Sequence, residues 1–342
     1  MSAQPASAPA PAPVRRWAGV LLAPTAAVMR RFAFAGVIAS ALIIPTGAAV
    51  RLSKSGLGCT NWPKCTATSL AASGVTGDPL IHRWIEFGNR LLTTLIFVVA
   101  VAVFAAAWRY RDGSGRRRRD LVWLASAQPA GIVAQAVIGG IVVLTKLAPF
   151  WVSLHYLATL PVLAAAVALY VRSAEGTGPA RPLVQPLVRF VVLALVAVAS
   201  AMMVAGTLVT GSGPLAGAGA VPRYHFLSLT GVTQLHADIG WVLGTLAVMV
   251  VLSLHLTQAP SRVVRLGWLV LGLIGLQGVV GYVQYFAHLP AGLVWVHVAN
   301  TALIWIAVLL LYFATRDRLG AVAAGSPESS PAQAFSGDTA VR

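Results

Sequence analysis

The stretch Leu80-Ile-His82-Arg83-Trp84-Ile-Glu86-Phe-Gly-Asn89-Arg90 runs without a break into an apolar segment that ends near Trp108. At 3.6 residues per turn, His82, Glu86 and Asn89 are spaced i, i+4, i+7 and share one face of a helix. A carboxylate at the start of a membrane span is costly unless it faces a partner or a cavity. Three comparable places recur downstream, at His155, His236 and His297, each near the start of its own apolar run. Together they predict an all-α membrane protein whose polar side chains gather at one depth.

The composition supports that class. Of 342 residues, 58% are hydrophobic and 10% charged, where a soluble domain carries about 25% charged residues. Mean hydropathy is +0.79. The net charge of +16 could suggest nucleic acid, but the arginines cluster in short segments between apolar runs. That is the positive-inside pattern, and it accounts for the charge without a nucleic-acid partner.

Residues 1–14 are rich in Ala, Pro and Ser, show no secretory cleavage pattern, and begin a tail (1–31) expected to be disordered and cytoplasmic. Spans are predicted at about 32–50, 82–108, 121–144, 151–172, 187–210, 232–256, 264–285 and 291–314, each roughly the 20 residues a bilayer requires. A loose cytoplasmic tail is expected over 316–342. Eight spans put both termini on one side. Eighteen Lys and Arg fall in the tails and the segments 109–120, 172–189 and 262–265; seven fall in the other loops and the adjoining helix starts. Both termini are therefore expected in the cytoplasm of a multi-pass cell-membrane protein.

The second half restates the first. Gln135-Ala-Val-Ile-Gly139 precedes His155, and Gln277-Gly-Val-Val-Gly281 precedes His297, each Gln lying 20 residues before its His. Gly47-Ala-Ala-Val50 and Gly206-Thr-Leu-Val209 close the first and fifth spans, before loops containing Ser55-Gly56 and Ser212-Gly213. An even number of helices per half makes these parallel repeats, here two four-helix bundles over 32–172 and 187–315. His236 and His297 then face each other across one bundle, as the two ligands of a six-coordinate haem iron would. The rival reading is that each His hydrogen-bonds a neighbouring helix.

In the first half His155 faces either Asn89 or His82. The His236–His297 interval is 61 residues, Asn89–His155 is 66 and His82–His155 is 73. Spacing favours Asn89, a poor iron ligand. The local pattern Ile81-His82, resembling Leu235-His236, favours His82, which sits about 10 Å further out. The first site could then be five-coordinate through His155, with one open face. Glu86 is read either as a group that moves protons or stabilises positive charge, or as an intrahelical ion-pair partner of Arg83 or Arg90. Asp238 is expected to pair with another helix, and His225, His255 and His288 to be solvated. Cys59 and Cys65, the only two cysteines, predict a disulfide in an outer loop, either structural or redox-active. Trp84, Trp108, Trp151 and Trp295 fit interfacial anchoring, and Arg116 to Arg119 a topology signal in reach of anionic lipid.

These motifs, in this order over about residues 32–315, resemble the haem A synthase family. The segments are Gly47-x-x-Val-Arg51 with Ser-Gly-Leu-Gly-Cys59-x-x-Trp-Pro-x-Cys65, Trp84-Ile-Glu86-x-x-Asn89-Arg90, Gln135 with His155, Gly206-Thr-x-Val-Thr-Gly-Ser-Gly213, Gln234-Leu-His236-Ala-Asp238, and Gln277 with His297. The resemblance implies oxidation of the C8 methyl of haem O to the formyl of haem A, for cytochrome oxidase assembly. It implies haem b on His236 and His297, the substrate haem near His155 and catalytic Glu86, and a disulfide or electron-transfer role for Cys59 and Cys65. A partner haem O synthase and an electron donor follow from it, and a homo-oligomer is compatible with it. Two features depart from the family: Glu-x-x-Asn-Arg stands where Glu-x-x-His-Arg is usual, and the later outer loop has no second Cys pair. On the residues alone, a two-haem electron carrier and a transporter are the competing classes.

Overall fold

The computed structural model describes residues 23–66, 69–70, 80–216 and 223–318. Eight α-helices follow one another: α1 (Ala26–Leu52), α2 (Leu80–Arg109), α3 (Arg119–Leu144), α4 (Pro149–Ala174), α5 (Pro186–Ser212), α6 (Leu229–Leu256), α7 (Ser261–Phe286) and α8 (Ala291–Ala314). All eight are long and apolar enough to cross a bilayer. The chain is a multi-pass membrane protein.

The helix starts follow from local chemistry. Thr25 caps α1 and Ser228 caps α6 through their side chains, satisfying one of the orphan amides at each N-terminus. Pro149 and Pro186 open α4 and α5, where a missing N–H costs nothing. Helix α1 starts at Ala26, earlier than the expected 32, and so carries Arg30 and Arg31 in its first turns. Of the expected disordered tail, residues 26–31 are therefore helical, while 1–22 lie outside the described residues. At the other end, Arg316–Arg318 form strand β2, antiparallel to β1 (Ala180–Pro182), with Ala180 opposite Arg318. This ties the α4–α5 connection to the chain after α8; residues 319–342 lie outside the description.

Packing is between chain neighbours, with each half closing on itself. In the first half α1 packs on α2, α2 on α3, α3 on α4 and α4 back on α1; α5 to α8 do the same. The seam between the halves consists of α1 and α4 against α8, and α4 against α5. Its core includes Leu163, Val167, Val192, Leu195, Val308 and Leu311, all essentially inaccessible. Two indoles of α8 fasten it: Trp295 Nε1 donates to the Pro45 carbonyl at 2.8 Å, and Trp305 Nε1 to the Leu160 carbonyl at 3.1 Å. Both carbonyls lie at or next to a proline inside a helix, where the backbone ladder is already interrupted and needs outside partners. Trp295 is thus a strut as well as an anchor. Each half brings its second and fourth helices face to face across its own interior.

Candidate functional site

Helices α6 and α8 stand diagonally across the second bundle, and His236 and His297 meet there with ring centroids 6.3 Å apart and planes tilted by 58°. Each imidazole rests on a glycine of another helix. A Cβ on Gly206 of α5 would lie 3.2 Å from Cε1 of His236, and one on Gly281 of α7 would lie 3.2 Å from Cε1 of His297. Nδ1 of His297 is buried without a hydrogen-bond partner, a state folded interiors rarely leave unexplained. The backbone at His297 is held from α7, where Gln277 Nε2 donates to its carbonyl at 3.0 Å and Asn300 Nδ2 donates to Gln277 Oε1 at 2.9 Å.

The pair suits a haem iron. Two metal–nitrogen bonds of about 2 Å, plus roughly 1 Å from each nitrogen to its ring centre, place opposed imidazole centroids about 6 Å apart. Among the described residues no three His, Cys, Asp or Glu side chains converge. A two-histidine site therefore fits a metal that brings its own equatorial ligands, as porphyrin iron does.

The first bundle repeats the glycine support with a different set of side chains. His155 on α4 rests on Gly139 of α3 with the same 3.2 Å Cβ-to-Cε1 approach, and its Nδ1 is likewise buried and unpartnered. Gln135 Nε2 donates to the His155 carbonyl at 3.0 Å and to Thr159 Oγ1 at 2.8 Å. Gly47 of α1 and Asn89 of α2 take the places of Gly206 and His236 in the sequence pattern. Here a Cβ on Gly47 would meet nothing within 4 Å, and Asn89 Oδ1 is buried without a partner. Three glycines touch an imidazole; the fourth faces open space.

His82 is engaged elsewhere. Its Nδ1 lies 2.9 Å from Ser55 Oγ, in the loop that crosses the end of the first bundle. Glu86, only 5% exposed, belongs to the same arrangement. Its Oε1 pairs with Arg90 Nη2 at 2.6 Å, and its Oε2 accepts the Cys59 amide at 2.7 Å. Arg90 also donates to the carbonyls of Asn61 at 3.2 Å and Lys64 at 3.4 Å. Cys59 and Cys65 are joined in a disulfide, fully buried against Phe87. The loop is seated by close approach: a Cβ on Gly58 would fall 2.6 Å from the His82 carbonyl, and one on Gly140 would fall 2.5 Å from the Trp62 ring. Glu86 thus clamps the disulfide loop across α2 and α3, through the Arg90 alternative of its ion-pair reading.

Other expectations need correction. Among the described residues Asp238 pairs with no other helix; it accepts from Gln234 Nε2 of its own helix at 2.7 Å. Its geometry is i, i+4 on an exposed face, which the same spacing allowed. His255 is exposed but not simply solvated, since its Nε2 accepts from the Trp268 indole at 3.0 Å. His225 and His288 are exposed, as expected.

Tyr156 and Thr301 escaped the sequence reading, and Arg51 entered it only within a family motif. Tyr156, next to His155, shares a 2.9 Å hydroxyl contact with Thr301, which lies one turn beyond His297. Arg51, still within α1 and half-buried, lies near Tyr156. Their signal was adjacency to the histidines and, for Arg51, a charge set where a span ends. Each residue type is too common in such places to stand out in a sequence.

Comparisons with known proteins give the family. The family of cytochrome oxidase assembly proteins designated COX15-CtaA matches residues 78–309, more than half of the chain. The chain belongs to the COX15-CtaA family. This COX15-CtaA chain is 32% identical over 123 residues to a heme A synthase of Geobacillus thermodenitrificans, covering 35% of the chain and 34% of the relative. It is 34% identical over 129 residues to one of Lysinibacillus sphaericus, covering 37% and 39%, and 31% identical over 122 residues to one of Geobacillus kaustophilus, covering 34% of each. The matches span little more than a third of the length of these curated relatives.

Proposed function

We propose that the chain is a haem A synthase, a membrane oxidoreductase that takes haem O as substrate and converts its C8 methyl to a formyl group. The observation that supports this best is the inequality of two otherwise matched sites: an imidazole pair 6.3 Å apart in one bundle and a single supported imidazole in the other. A six-coordinate haem b between His236 and His297 would supply one-electron transfer and no open coordination position. The first bundle is where substrate haem O would sit, with His155 on one face and Asn89 beside the open space at Gly47 on the other.

The remaining residues divide the work. The disulfide loop, pinned by Glu86 and Arg90, closes the end of the first bundle and keeps water from the reacting edge. Both oxygens of Glu86 are held in this clamp, which favours a positioning role over free proton transfer. Tyr156 and Thr301 join the two sites across the seam. Arg51, with no acidic partner within ion-pair distance among the described residues, suits the carboxylate of a haem propionate. The arginine distribution supports a cell-membrane setting with both termini cytoplasmic. A haem O synthase would supply the substrate, and the four-electron oxidation of methyl to formyl would take its oxidant and oxygen from outside the chain, dioxygen together with an electron donor.

The test is pigment extraction and mass analysis of membranes holding this chain together with a haem O synthase. Haem A or its hydroxylated precursor, appearing only with this chain, is the expected result. Bound haem b with haem O unconverted, reductant being present, would replace the enzyme with an electron carrier; no bound haem would favour a transporter.

A further inference from the structure

At the end of the molecule away from the disulfide, four consecutive arginines do different work. Arg118 turns inward and is 4% exposed. It donates to both oxygens of Asp120 at 2.9 and 2.8 Å, and to the carbonyls of Glu175 at 2.9 Å and Arg172 at 3.2 Å. The Asp120 hydrogen bonds hold its pKa above the usual arginine value. Asp120 also takes Arg172 at 2.7 Å, and Glu175 takes Arg172 at 2.6 Å. The acids of this corner are therefore committed. Asp112 is held by its own turn, accepting from the amides of Ser114 and Arg116.

Arg117 and Arg119 turn the other way. With Arg111 they line a groove of about 770 Å³ between the end of α2 and the start of α3, walled by Phe104, Trp108 and Trp123. None of the three guanidinium groups lies within ion-pair distance of a carboxylate among the described residues. The Arg117 guanidinium sits 4.2 Å from the centre of the Trp108 ring, which orients it without neutralising it. Trp108 is 48% and Trp123 74% exposed, as indoles at a membrane interface are. Phe104 lies one helical turn deeper than Trp108, so the groove is cationic at its mouth and aromatic towards the bilayer interior. A topology signal alone would require neither the shared concavity nor the aromatic walls.

We propose that this groove is a binding site for an anionic phospholipid, its phosphate among Arg111, Arg117 and Arg119 and an acyl chain along Phe104 and Trp123. The charge matches, the guanidinium fork suits phosphate oxygens, and basic recesses between membrane helices take such headgroups. A soluble phosphate would use the mouth and leave the aromatic floor without a role. The site stands apart from the histidine sites and does not depend on their chemistry.

Native mass spectrometry of the full chain in neutral detergent tests this, with added phosphatidylglycerol, phosphatidylcholine or inorganic phosphate. One phosphatidylglycerol should be retained per chain, phosphatidylcholine should not, and excess phosphate should fail to displace the lipid. The triple variant Arg111→Gln/Arg117→Gln/Arg119→Gln should lose retention by roughly tenfold or more. Arg262→Gln/Arg265→Gln, exposed at the same face on α7, should not. Should the triple variant fail to fold, Arg117→Gln and Trp123→Ala singly should each weaken retention severalfold. Equal retention of both lipids, full displacement by phosphate, or variants that bind like the parent would overturn the proposal.

Discussion

Glycines at the histidine sites make the ligand geometry testable one side chain at a time. A methyl group at Gly281 would meet Cε1 of His297 at 3.2 Å, so the ring or α7 must shift by a few tenths of an ångström. Overpacking of this kind costs about 1–3 kcal/mol, or roughly 5- to 150-fold if it falls wholly on haem affinity. Gly281→Ala should therefore lower haem b occupancy in titrations of the purified protein, and His297→Ala should abolish it. At Gly47 the open space lets the complementary change be made. Asn89→His should seat a second imidazole in the first bundle. In a His236→Ala/His297→Ala background, the spectrum of haem in that bundle should pass from high-spin to low-spin, and carbon monoxide binding should weaken by roughly an order of magnitude or more. An unchanged spectrum would mean that Asn89 is not the opposing residue. The histidines themselves were legible from their matched depth and equal Gln-to-His spacing. The choice between Asn89 and His82 was not, because spacing and local pattern disagreed, and only the Ser55 contact shows where His82 is engaged.

Among the elements, the disulfide loop was the least legible part of the site. The sequence predicts the bond between Cys59 and Cys65, but not that Glu86, more than 20 residues later, supplies the acceptor for the Cys59 amide. Long-range contacts from a loop carry no periodicity, and periodicity is what placed the helices. Two of the restraints on this loop are of similar size. Closing a loop with a sequence separation of 6 contributes about 2 kcal/mol on a chain-entropy account, and leaving the buried Cys59 amide without its acceptor costs about 1–3 kcal/mol. Cys59→Ser/Cys65→Ser and Glu86→Ala should each loosen the loop, seen as faster amide exchange over residues 56–66. Both should leave haem b on His236 and His297, and Glu86→Ala should abolish formyl product. Normal haem A output from Glu86→Ala would remove Glu86 from the mechanism.

At the scale of the whole molecule, each half closes on itself, and the seam sets α1 against α8 and α5 against α4. Eight spans and the duplicated Gln–His pattern led to the expectation of two bundles, whereas the contacts within the seam could not be read from apolar runs that are hydrophobic on every side. One polar link in that seam lies directly between the histidine sites. The Tyr156 hydroxyl meets Thr301 at 2.9 Å, and these residues adjoin His155 and His297. Interhelical hydrogen bonds in membranes average about 0.6 kcal/mol, while the seam also buries Leu163, Val192, Leu195, Val308 and Leu311. Tyr156→Phe keeps the ring and removes only the hydroxyl, so thermal unfolding should change by about that small amount. Electron equilibration between a haem on His236 and His297 and one on His155 should nevertheless slow severalfold in flash-photolysis kinetics, because the link that fixes their relative position is gone. Slower transfer with an unchanged unfolding profile would assign the hydroxyl a role in positioning the two sites. An unchanged rate would assign that positioning to the apolar seam and the Trp295 and Trp305 struts, which would still join the two halves.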